Sequence, residues 1–546
     1  MSVKFIAISG TTDVTENCYV YEYGDEMIVV DCGVGFPEPE MYGVDLVLPD
    51  FTYIKNNRNK LKGILVTHGH EDHLGALPFL LEDMKAPIYA TKLVAGFIED
   101  KFADYGVKDI RVNVFDPEKD VLSLGSFKVT PFRTSHSVPD GVGFAIDTPE
   151  GKLFHIPDYK FDWTPVDNKP FDVAKLAILA SSGALALASD ALGSTTPGYT
   201  KSERNIERRI EGISRKARGA IFLTTISSNI SRMQQTINVA QRLGRKVAFI
   251  GRSIQRKAEI AKKLGYLHYP NNLIVNPKKG QGKNLIYIIS GSYGQPGSAL
   301  YRLALGEHEF LTIEENDVVI FSSDPAPPGS KTNVDFVVDR LIEAGITVHY
   351  YDLQENLHVS GHGSQEDIRM LFGLVKPKYF MPIGGTIRHM RAYSHIAQAM
   401  GAKRDHIFEL TAGQVVEFSG GNAKISGKVP SKQVLVDGIG VGDVGSVVLR
   451  DRHTLSKDGV VIVLSQIDKS SARMAAEPEI ISRGFVFEKK HKDLLGEAAR
   501  ELRAFLDKKV KADEKTVKNA SIEFLEGFFF EKTGRRPMIL PVVVEV

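Results

Sequence analysis

One short segment constrains this chain more than any other. Residues 67–73 read Thr-His-Gly-His-Glu-Asp-His and directly follow the apolar run 63–66. Such a cluster is unusual in a chain with only 15 histidines among 546 residues. Borderline cations such as Zn²⁺ favour these nitrogen and oxygen donors, and a loop after a strand can hold them while they stay open to solvent. A solvated polar turn is the alternative, but the density of histidines favours a site for metal-assisted hydrolysis.

The spacing of the donors predicts two ions rather than one. His68 and His70 are two positions apart and can bind one ion together. Asp72 and His73 come too late to share that ion and are free to hold a second. We therefore expect a two-metal site of the kind that clamps the attacking and leaving oxygens of a hydrolytic reaction.

Size and composition set the frame for this site. A chain of 546 residues predicts two to four domains. The formal net charge of +1 gives no global attraction to nucleic acid, although a local basic groove remains possible. Two cysteines, Cys18 and Cys32, exclude a disulfide framework and favour a reducing compartment. The sequence has no recognisable signal peptide and no membrane-spanning apolar run, so we expect a cytoplasmic protein without a membrane partner.

Other candidate residues also follow strand-like runs. The run 127–132 leads to His136, and the run 152–155 leads to Asp158. A lone histidine is usually structural. Near the histidine loop, however, His136 and Asp158 are better interpreted as metal ligands, because a two-metal site needs a third imidazole and a bridging carboxylate. His155 is a weaker candidate that either supports a ligand or is simply packed in the core.

The pattern of predicted elements indicates one domain inserted into another. Short strands and a Gly24-Asp25 hairpin dominate the first part, with a helix predicted over 77–84. From about residue 203, helices and strands alternate, which is typical of a parallel sheet covered by helices. Histidine-rich loops return at 358–362, and the chain from about residue 450 looks like a separate module.

Two further segments are candidate anion sites. His358, Ser360, Gly361 and His362 combine imidazoles with small residues whose backbone N–H groups can cradle phosphate; an ordinary turn with Ser364 as helix N-cap is the alternative. Residues 224–229, which include Ser228, lie between a predicted strand and a helix, and anion binding and helix capping are equally compatible with that position.

These motifs and their order along the chain resemble those of the bacterial RNase J family, which are ribonucleases with a metallo-β-lactamase fold. The resemblance covers nearly the whole chain, and its later motifs are specific to that family. Its motifs include residues 68–73, His136-Ser137-Val138-Pro139-Asp140, Asp158-Tyr159-Lys160-Phe161-Asp162, Ser227-Ser228-Asn229, Gly251-Arg252-Ser253, 358–362 and 535–541.

The resemblance implies an α/β protein with three parts. These are a metallo-β-lactamase αββα sandwich, an inserted β-CASP α/β domain and a small α+β C-terminal domain. The expected boundaries are 1–205 and 353–448 for the sandwich, 206–352 for the insert and 449–546 for the C-terminal oligomerisation domain. A homo-dimer or tetramer is therefore expected.

The resemblance also implies roles for individual residues. His68, His70 and His136 would hold the first ion, Asp72 and His73 the second, and Asp158 would bridge them. A hydroxide held by the ions would cleave RNA phosphodiesters, as an endonuclease or 5′-exonuclease. Asp72, Asp190 and His362 would be catalytic, with His362 contacting the scissile phosphate or protonating the leaving group. Phosphate would be bound by His358, Ser360, Gly361, His362 and Ser228.

One departure from the family pattern bears on the second ion. The family places a final metal-ligand histidine where this chain has Gly384, and His389 is too far along the sequence to replace it. We expect a weakened second site, Zn²⁺ as the cofactor in one or two copies, and Mn²⁺ as an alternative. Single-stranded RNA is the expected substrate. Small esters or lactones are the first alternative, and a weak or inactive RNA-binding assembly partner is the second.

Overall fold

The chain folds into two compact units in the computed structural model. The structure describes residues 1–279, 282–323, 329–351, 357–438, 440–471, 473–485, 492–508 and 513–546. The first unit comprises Met1–Phe36 and Leu46–Val434, and the second comprises Pro37–Asp45 and Leu435–Val546.

The first unit begins with short strands and helices, and all of these strands except β4 belong to the two sheets of a sandwich. The strands are β1 (Val3–Ser9), β2 (Cys18–Tyr23), β3 (Glu26–Val30), β4 (Leu46–Leu48), β5 (Leu61–Leu65), β6 (Ile88–Ala90), β7 (Val112–Val114), β8 (Leu122–Leu124), β9 (Phe127–Arg133), β10 (Val142–Thr148), β11 (Gly151–Ile156) and β12 (Ala184–Asp190). The helices are α1 (Thr52–Asn56), α2 (Glu71–Leu74), α3 (Leu77–Leu80), α4 (Lys92–Tyr105) and α5 (Val173–Ala180).

An inserted domain follows, and the chain then returns to the sandwich. The inserted elements are α6 (Arg204–Lys216), β13 (Ile221–Thr224), α7 (Ile230–Arg242), β14 (Lys246–Ile250), α8 (Arg252–Leu264), β15 (Leu285–Ile289), α9 (Ala299–Ala304), β16 (Val318–Phe321), α10 (Ser330–Glu343) and β17 (Thr347–His349). The returning elements are α11 (Gln365–Val375), β18 (Pro377–Ile383), α12 (Ile387–Ala399), β19 (Gln414–Ser419) and β20 (Asn422–Lys428).

Two sheets face each other across the core of the sandwich. One sheet has the order β20-β19-β1-β2-β3-β5-β6-β7 and the other β18-β12-β11-β10-β9-β8. Alternate side chains such as Phe5 and Tyr21 of the first sheet pack with Phe144 and Met381 of the second, because successive residues of a strand point to opposite faces. Helices α5, α11 and α12 cover the second sheet, and α4 packs on β6 and β7. The predicted αββα sandwich is confirmed.

The inserted domain is a parallel sheet covered by helices, as its alternating pattern predicted. Its strand order is β14-β15-β13-β16-β17, and every pairing in it is parallel. The strands are almost wholly buried, which fits the continuous apolar runs expected when both faces of a sheet are covered. The carboxyl ends of these strands therefore meet at one edge, where α/β folds bind ligands.

Ion pairs join the insert to helix α4 and to the histidine loop of the sandwich. Arg256 of α8 pairs with Asp100 of α4, with 2.7 Å between Nε and Oδ1. Glu71 lies between Lys257 of α8, 3.2 Å away, and Lys101 of α4. Burial opposes ionisation of Glu71, but these two lysines outweigh it and lower its pKa to about 2. Residues of both domains thus form ion pairs with the loop that carries the predicted ligands and stabilise its position.

The last part of the chain forms the second unit. Its elements are β21 (Val434–Asp437), β22 (Gly440–Val441), α13 (Ser446–Asp458), β23 (Val460–Asp468), β24 (Arg473–Met474), β25 (Glu479–Arg483), α14 (Lys492–Asp507), α15 (Glu514–Thr533) and β26 (Met538–Glu545). Strand β23 lies between β26, which is parallel to it, and β25, which is antiparallel. Helices α14 and α15 bury one face of this sheet. None of the helices in the described ranges is long and apolar enough to cross a membrane.

One predicted element was too long, and the predicted domain boundaries stay untested. The helix predicted over 77–84 is helical only over Leu77–Leu80. Leu81 and Met84 are buried nevertheless, so the apolar spacing reflects a packed turn leading to β6 rather than a longer helix. The domain boundaries remain predictions, and the one between residues 352 and 353 lies outside the described residues.

Candidate metal centre

The predicted ligands meet at one edge of the sandwich because each follows a strand. His68 and His70 lie in the loop after β5, and His73 lies in the short helix α2 that this loop enters. His136 follows β9 and Asp158 follows β11. Together with Asp72, Asp190 and His362, these residues form three overlapping groups that all share Asp158, and the ligand atoms within each group fall within 4.8 Å of one another.

Four donors form the first group. The Nδ1 atom of His70 lies 3.1 Å from Nε2 of His68 and 3.1 Å from Nε2 of His136. The Oδ2 atom of Asp158 lies 3.4 Å from the first of those Nε2 atoms and 3.5 Å from the second. Ligands placed tetrahedrally around zinc at about 2.0–2.1 Å lie about 3.3–3.4 Å apart. The donor set and its spacing therefore fit a zinc ion.

Among the described residues, the second group has three donors, Asp72, His73 and Asp158. The Nε2 atom of His73 lies 3.6 Å from Oδ2 of Asp72 and 3.5 Å from Oδ1 of Asp158. Asp158 thus turns one oxygen to each group, the arrangement of a bridging carboxylate. The amide nitrogen of Asn17 lies 3.1 Å from the same Nε2 atom. Burial lowers the pKa of His73, but the surrounding carboxylates outweigh it and raise the pKa well above its usual value, so an ion here must displace a proton.

The far nitrogen of each ligand imidazole has a partner that fixes the ring. His70 Nε2 lies 3.1 Å from the hydroxyl of Ser137, and His136 Nδ1 donates to the carbonyl of Gly361 over 2.8 Å. A Cβ atom at Gly361 would overlap the ring of His136, so this contact requires glycine. Partners of this kind set the tautomer and orientation of metal ligands.

The protonation of the first group suits a metal site. Burial is the main reason that the pKa of His70 is well below its usual value, and the neighbouring imidazoles lower it further. Burial is also the main reason that the pKa of His136 is well below its usual value. Both rings are therefore neutral near neutral pH and keep a lone pair to offer. Burial would raise the pKa of Asp158, but the imidazoles, His73 foremost, outweigh it and hold the pKa well below its usual range.

His362 and Asp190 form a pair beside the shared carboxylate. The Nδ1 atom of His362 donates to Oδ2 of Asp190 over 2.7 Å, which leaves its Nε2 atom 3.8 Å from Oδ2 of Asp158. Burial lowers the pKa of His362, but the two carboxylates outweigh it and raise the pKa to about 9. With Nδ1 donating to Asp190, the ring turns its Nε2 atom toward the predicted metal ligands.

The loop after β18 brings Gly384 beside the same cluster. A Cβ atom at Gly384 would lie 3.7 Å from Oδ1 of Asp190, and the residue has a φ of +64°. His389 does not compensate for the missing imidazole, because its Nδ1 atom accepts from the backbone N–H of Thr386, 3.2 Å away, and caps α12. Neither position supplies a fourth protein donor to the second group.

A buried charge cluster holds the 358–362 loop against the insert. Glu203 pairs with Lys160 at 3.2 Å and with Arg232 at 2.7 Å, and all three side chains are almost fully buried. The ammonium group of Lys160 also donates to the carbonyl of Ser360 over 2.9 Å, and Arg232 donates to the carbonyl of Leu357 over 3.2 Å. The position of this loop therefore depends on charges from both domains.

Family models match most of the chain in separate segments. Residues 11–153 match the metallo-β-lactamase superfamily, and residues 346–407 match the Zn-dependent metallo-hydrolase RNA specificity domain. Residues 218–341 match the β-CASP domain of ribonuclease J, and residues 447–546 match the ribonuclease J C-terminal domain.

Whole-chain relatives decide the assignment. Ribonuclease J2 of Bacillus subtilis (strain 168) is 38% identical, and the alignment covers 100% of this chain and 99% of the relative. The chain belongs to the ribonuclease J family. Ribonuclease J 1 of Streptococcus pyogenes serotype M3 is 37% identical, with 99% and 97% of the two chains covered. A crystal structure of a protein of unknown function from Enterococcus faecalis V583 shares the fold, with a TM-score of 0.54 at 15% identity over 76% of this chain and 100% of that one.

Several predicted residues of this family member occupy ordinary structural positions. His155 is fully buried and its Nδ1 atom lies 2.9 Å from the hydroxyl of Tyr21, so it is packed behind the site. Ser364 caps α11 through a capping box. Asn229 caps α7 by accepting from the backbone N–H of Arg232, and Ser228 lies in the loop between β13 and α7. The phosphate-binding roles of Ser228, His358, Ser360 and Gly361 remain predictions.

Sequence reasoning missed the residue that orients His73. Asp31 is fully buried, and its carboxylate accepts from Nδ1 of His73 over 2.8 Å and from the backbone N–H and hydroxyl of Thr67, also over 2.8 Å. Its position offered a signal. Asp31 directly follows β3, the parallel neighbour of the strand that delivers the histidine loop, and acids at such strand ends are placed for site chemistry.

Proposed function

We propose that this protein is a metal-dependent ribonuclease that hydrolyses phosphodiester bonds of single-stranded RNA, as an endonuclease or from the 5′ end. The four-donor group around His70 is the observation that carries the proposal, because its spacing fits zinc and burial holds the pKa values of His70 and His136 well below the usual value. The relatives are named ribonucleases J, and residues 346–407 match an RNA specificity domain.

Zinc is the ion we propose for the first group. His68, His70, His136 and Asp158 would hold it, and three nitrogen donors with one carboxylate suit Zn²⁺. A bound divalent ion lowers the pKa of water and polarises a phosphoryl oxygen. The second group, with two carboxylates and one imidazole, is richer in oxygen and is also suited to Mn²⁺.

The protein's own residues supply positioning and a proton. Asp190 holds His362 so that its Nε2–H faces the cluster, 3.8 Å from Asp158. There the ring can donate a hydrogen bond to the scissile phosphate and protonate the leaving oxygen. The 358–362 loop, fixed through Lys160, would present backbone N–H groups to the phosphate. Asp72 belongs to the second group and would serve the reaction through the ion that it holds.

We also propose that the chain forms a homo-dimer or tetramer through its C-terminal domain. The face of β26 that α14 and α15 leave uncovered exposes Leu540, Val542 and Val544 by 44%, 45% and 43%. Exposed apolar strands at a sheet edge favour association. Val542→Lys should dissociate the oligomer in light-scattering chromatography, and an unchanged mass would contradict this interface.

Gly384 favours a second candidate function. With three protein donors, the second ion is bound less tightly. Phosphodiester cleavage depends on a phosphate bound between two ions, so it should suffer more from this loss than hydrolysis of an ester or a lactone. Hydrolysis of such small substrates is therefore the alternative, by analogy with the many reactions that one fold can host.

The test is cleavage of 5′-monophosphorylated single-stranded RNA by zinc- or manganese-loaded protein. His68→Ala should abolish cleavage, because it removes a donor from the four-donor group. His395→Ala is the matched control, since His395 is exposed on α12, and it should cleave like the unaltered protein. Cleavage that survives in His68→Ala would refute the metal mechanism. Hydrolysis of an ester or lactone without cleavage of RNA would select the second candidate.

A further inference from the structure

A cavity in the inserted domain shares no residue with the metal centre. It has a volume of about 800 Å³, within the range of small-molecule sites. It opens where β14 ends and is lined by that strand end, the first turns of α8, the segment 274–278, α9 and the segment 308–310. The carboxyl edge of a parallel sheet is where α/β domains bind ligands.

Two buried nitrogen atoms of the cavity lining lack a partner. Within the described part of the chain, neither Nε of Arg302 nor Nδ1 of His308 has a hydrogen-bond partner, although both atoms are buried. A guanidinium N–H can only donate, and a buried donor without an acceptor destabilises a protein by about 1–3 kcal/mol. A ligand that brings an acceptor oxygen would remove this penalty once the half-buried Arg302 side chain turns its N–H toward the cavity.

The charge of the lining favours an anionic ligand. Arg252, Lys278 and Arg302 contribute three cations, whereas Glu259 and Glu309 contribute two carboxylates. Helix α8 also begins at the cavity without an acidic residue in its first turn, so its N-terminal partial positive charge is not offset there. Arginine donors of this kind match the oxygens of a phosphate group.

Most of the remaining lining is apolar or aromatic, and Gln255 and Asn276 are its polar members. Phe249, Ile274 and Phe310 contribute to the wall. The ring of His308 meets that of Phe310 edge-on, with 4.8 Å between centroids, and the ammonium group of Lys278 lies 5.5 Å from the centroid of Phe310. An aromatic wall beside cations is the pairing that holds a base next to its phosphate.

We propose that this cavity binds a nucleoside phosphate, with the phosphate on Arg302 and the base against Phe310. The ligand is either a free nucleotide or one nucleotide of an RNA strand. Both sources are compatible with the position of the cavity. Only β15 separates β14 from β13, the strand that leads to Ser228, so the two strand ends lie about 10 Å apart along the sheet edge.

The test is calorimetric titration of the full chain with AMP and with inorganic phosphate. Arg302→Gln removes the charge with little change of volume and should weaken AMP binding by at least about tenfold, the scale of a hydrogen bond to a charged group. Arg340→Gln is the matched control, because Arg340 is a half-exposed arginine of α10 in the same domain, and it should bind as the unaltered protein does. His358→Ala removes a candidate phosphate ligand near the metal centre and should leave the AMP site of the cavity intact.

Fluorescence anisotropy with a short single-stranded RNA distinguishes the two sources. If Arg302→Gln weakens AMP binding but not RNA binding, the ligand is a free nucleotide. If it weakens RNA binding, the ligand is a nucleotide of the strand. Unchanged binding of both AMP and RNA by a folded Arg302→Gln variant would overturn the proposal. Inorganic phosphate binding as tightly as AMP would overturn the role given to the aromatic wall. These outcomes do not depend on RNA cleavage, so they stay separate from those that test the proposed function.

Discussion

Replacing Gly384 with histidine tests whether a missing ligand limits the second ion. The residue has a φ of +64°, and a side chain in this left-handed region costs about 1–2 kcal/mol, although histidine enters it more readily than most residues. The added Cβ atom would lie 3.7 Å from Oδ1 of Asp190, an ordinary contact. The metal-free variant should therefore fold and lose about 1–2 kcal/mol of unfolding free energy.

The gain appears in metal binding. Loss of a residue that merely orients a ligand weakens metal affinity by about 10–100-fold, so a direct donor should strengthen the second site by at least that factor. Zinc titration against a chromophoric competitor, with total zinc measured by mass spectrometry, gives both the stoichiometry and the affinity of the second ion. RNA cleavage by the loaded variant should rise in parallel.

Gly384→Ala is the control, because it has the same backbone strain and no donor. Both variants should lose similar unfolding free energy in urea with chelator present, and only the histidine variant should bind the second zinc more tightly. Equal zinc affinity in the two folded variants would mean that the loop after β18 does not face the second group, and that Gly384 does not limit the second ion.

Three further substitutions test the partner of His73, the buried charge cluster and a buried acid. Asp31→Asn should weaken the second-ion site by about 10–100-fold; zinc affinity equal to that of the unaltered protein would contradict the orienting role. Glu203→Gln leaves Lys160 and Arg232 buried without their carboxylate, so urea unfolding should show a loss of about 3–5 kcal/mol; a neutral result would mean that water reaches these charges. Burial and a nearby acid raise the pKa of Glu16 from 4.5 to about 7, so folding is weakened as pH rises through that window. Glu16→Gln should match the unaltered protein near pH 4 and be more stable by up to about 3 kcal/mol near pH 8; a pH-independent difference would refute this.

Much of the fold was accessible from the sequence because local patterns and tertiary structure agree. The strand Cys18–Tyr23 and the strand 246–250 lie where their apolar runs predicted. The alternation after residue 203 predicted a parallel sheet, and the structure has one. The helix predicted over 77–84 was too long, because buried leucines at helical spacing also occur in packed turns.

The candidate site was predictable as far as it follows strand ends. His68, His136 and Asp158 converge because their strands share one edge of the sandwich. The partner of His73 was not found, because pairing Asp31 with it depends on which strands are neighbours in the sheet. Neither periodicity nor spacing reports long-range contacts of this kind, and the same limit hid the contact between Gly361 and His136.

The most direct test of the central claim is the dependence of RNA cleavage on zinc. Protein stripped of metal with a chelator is titrated with zinc while cleavage of a 5′-monophosphorylated single-stranded RNA is followed. We expect no cleavage in the stripped protein, a rise as zinc fills the four-donor group, and no rise in His136→Ala at any zinc concentration. Stripped protein that cleaves as fast as loaded protein would contradict zinc-dependent cleavage at this site, and so would a His136→Ala variant that zinc activates normally.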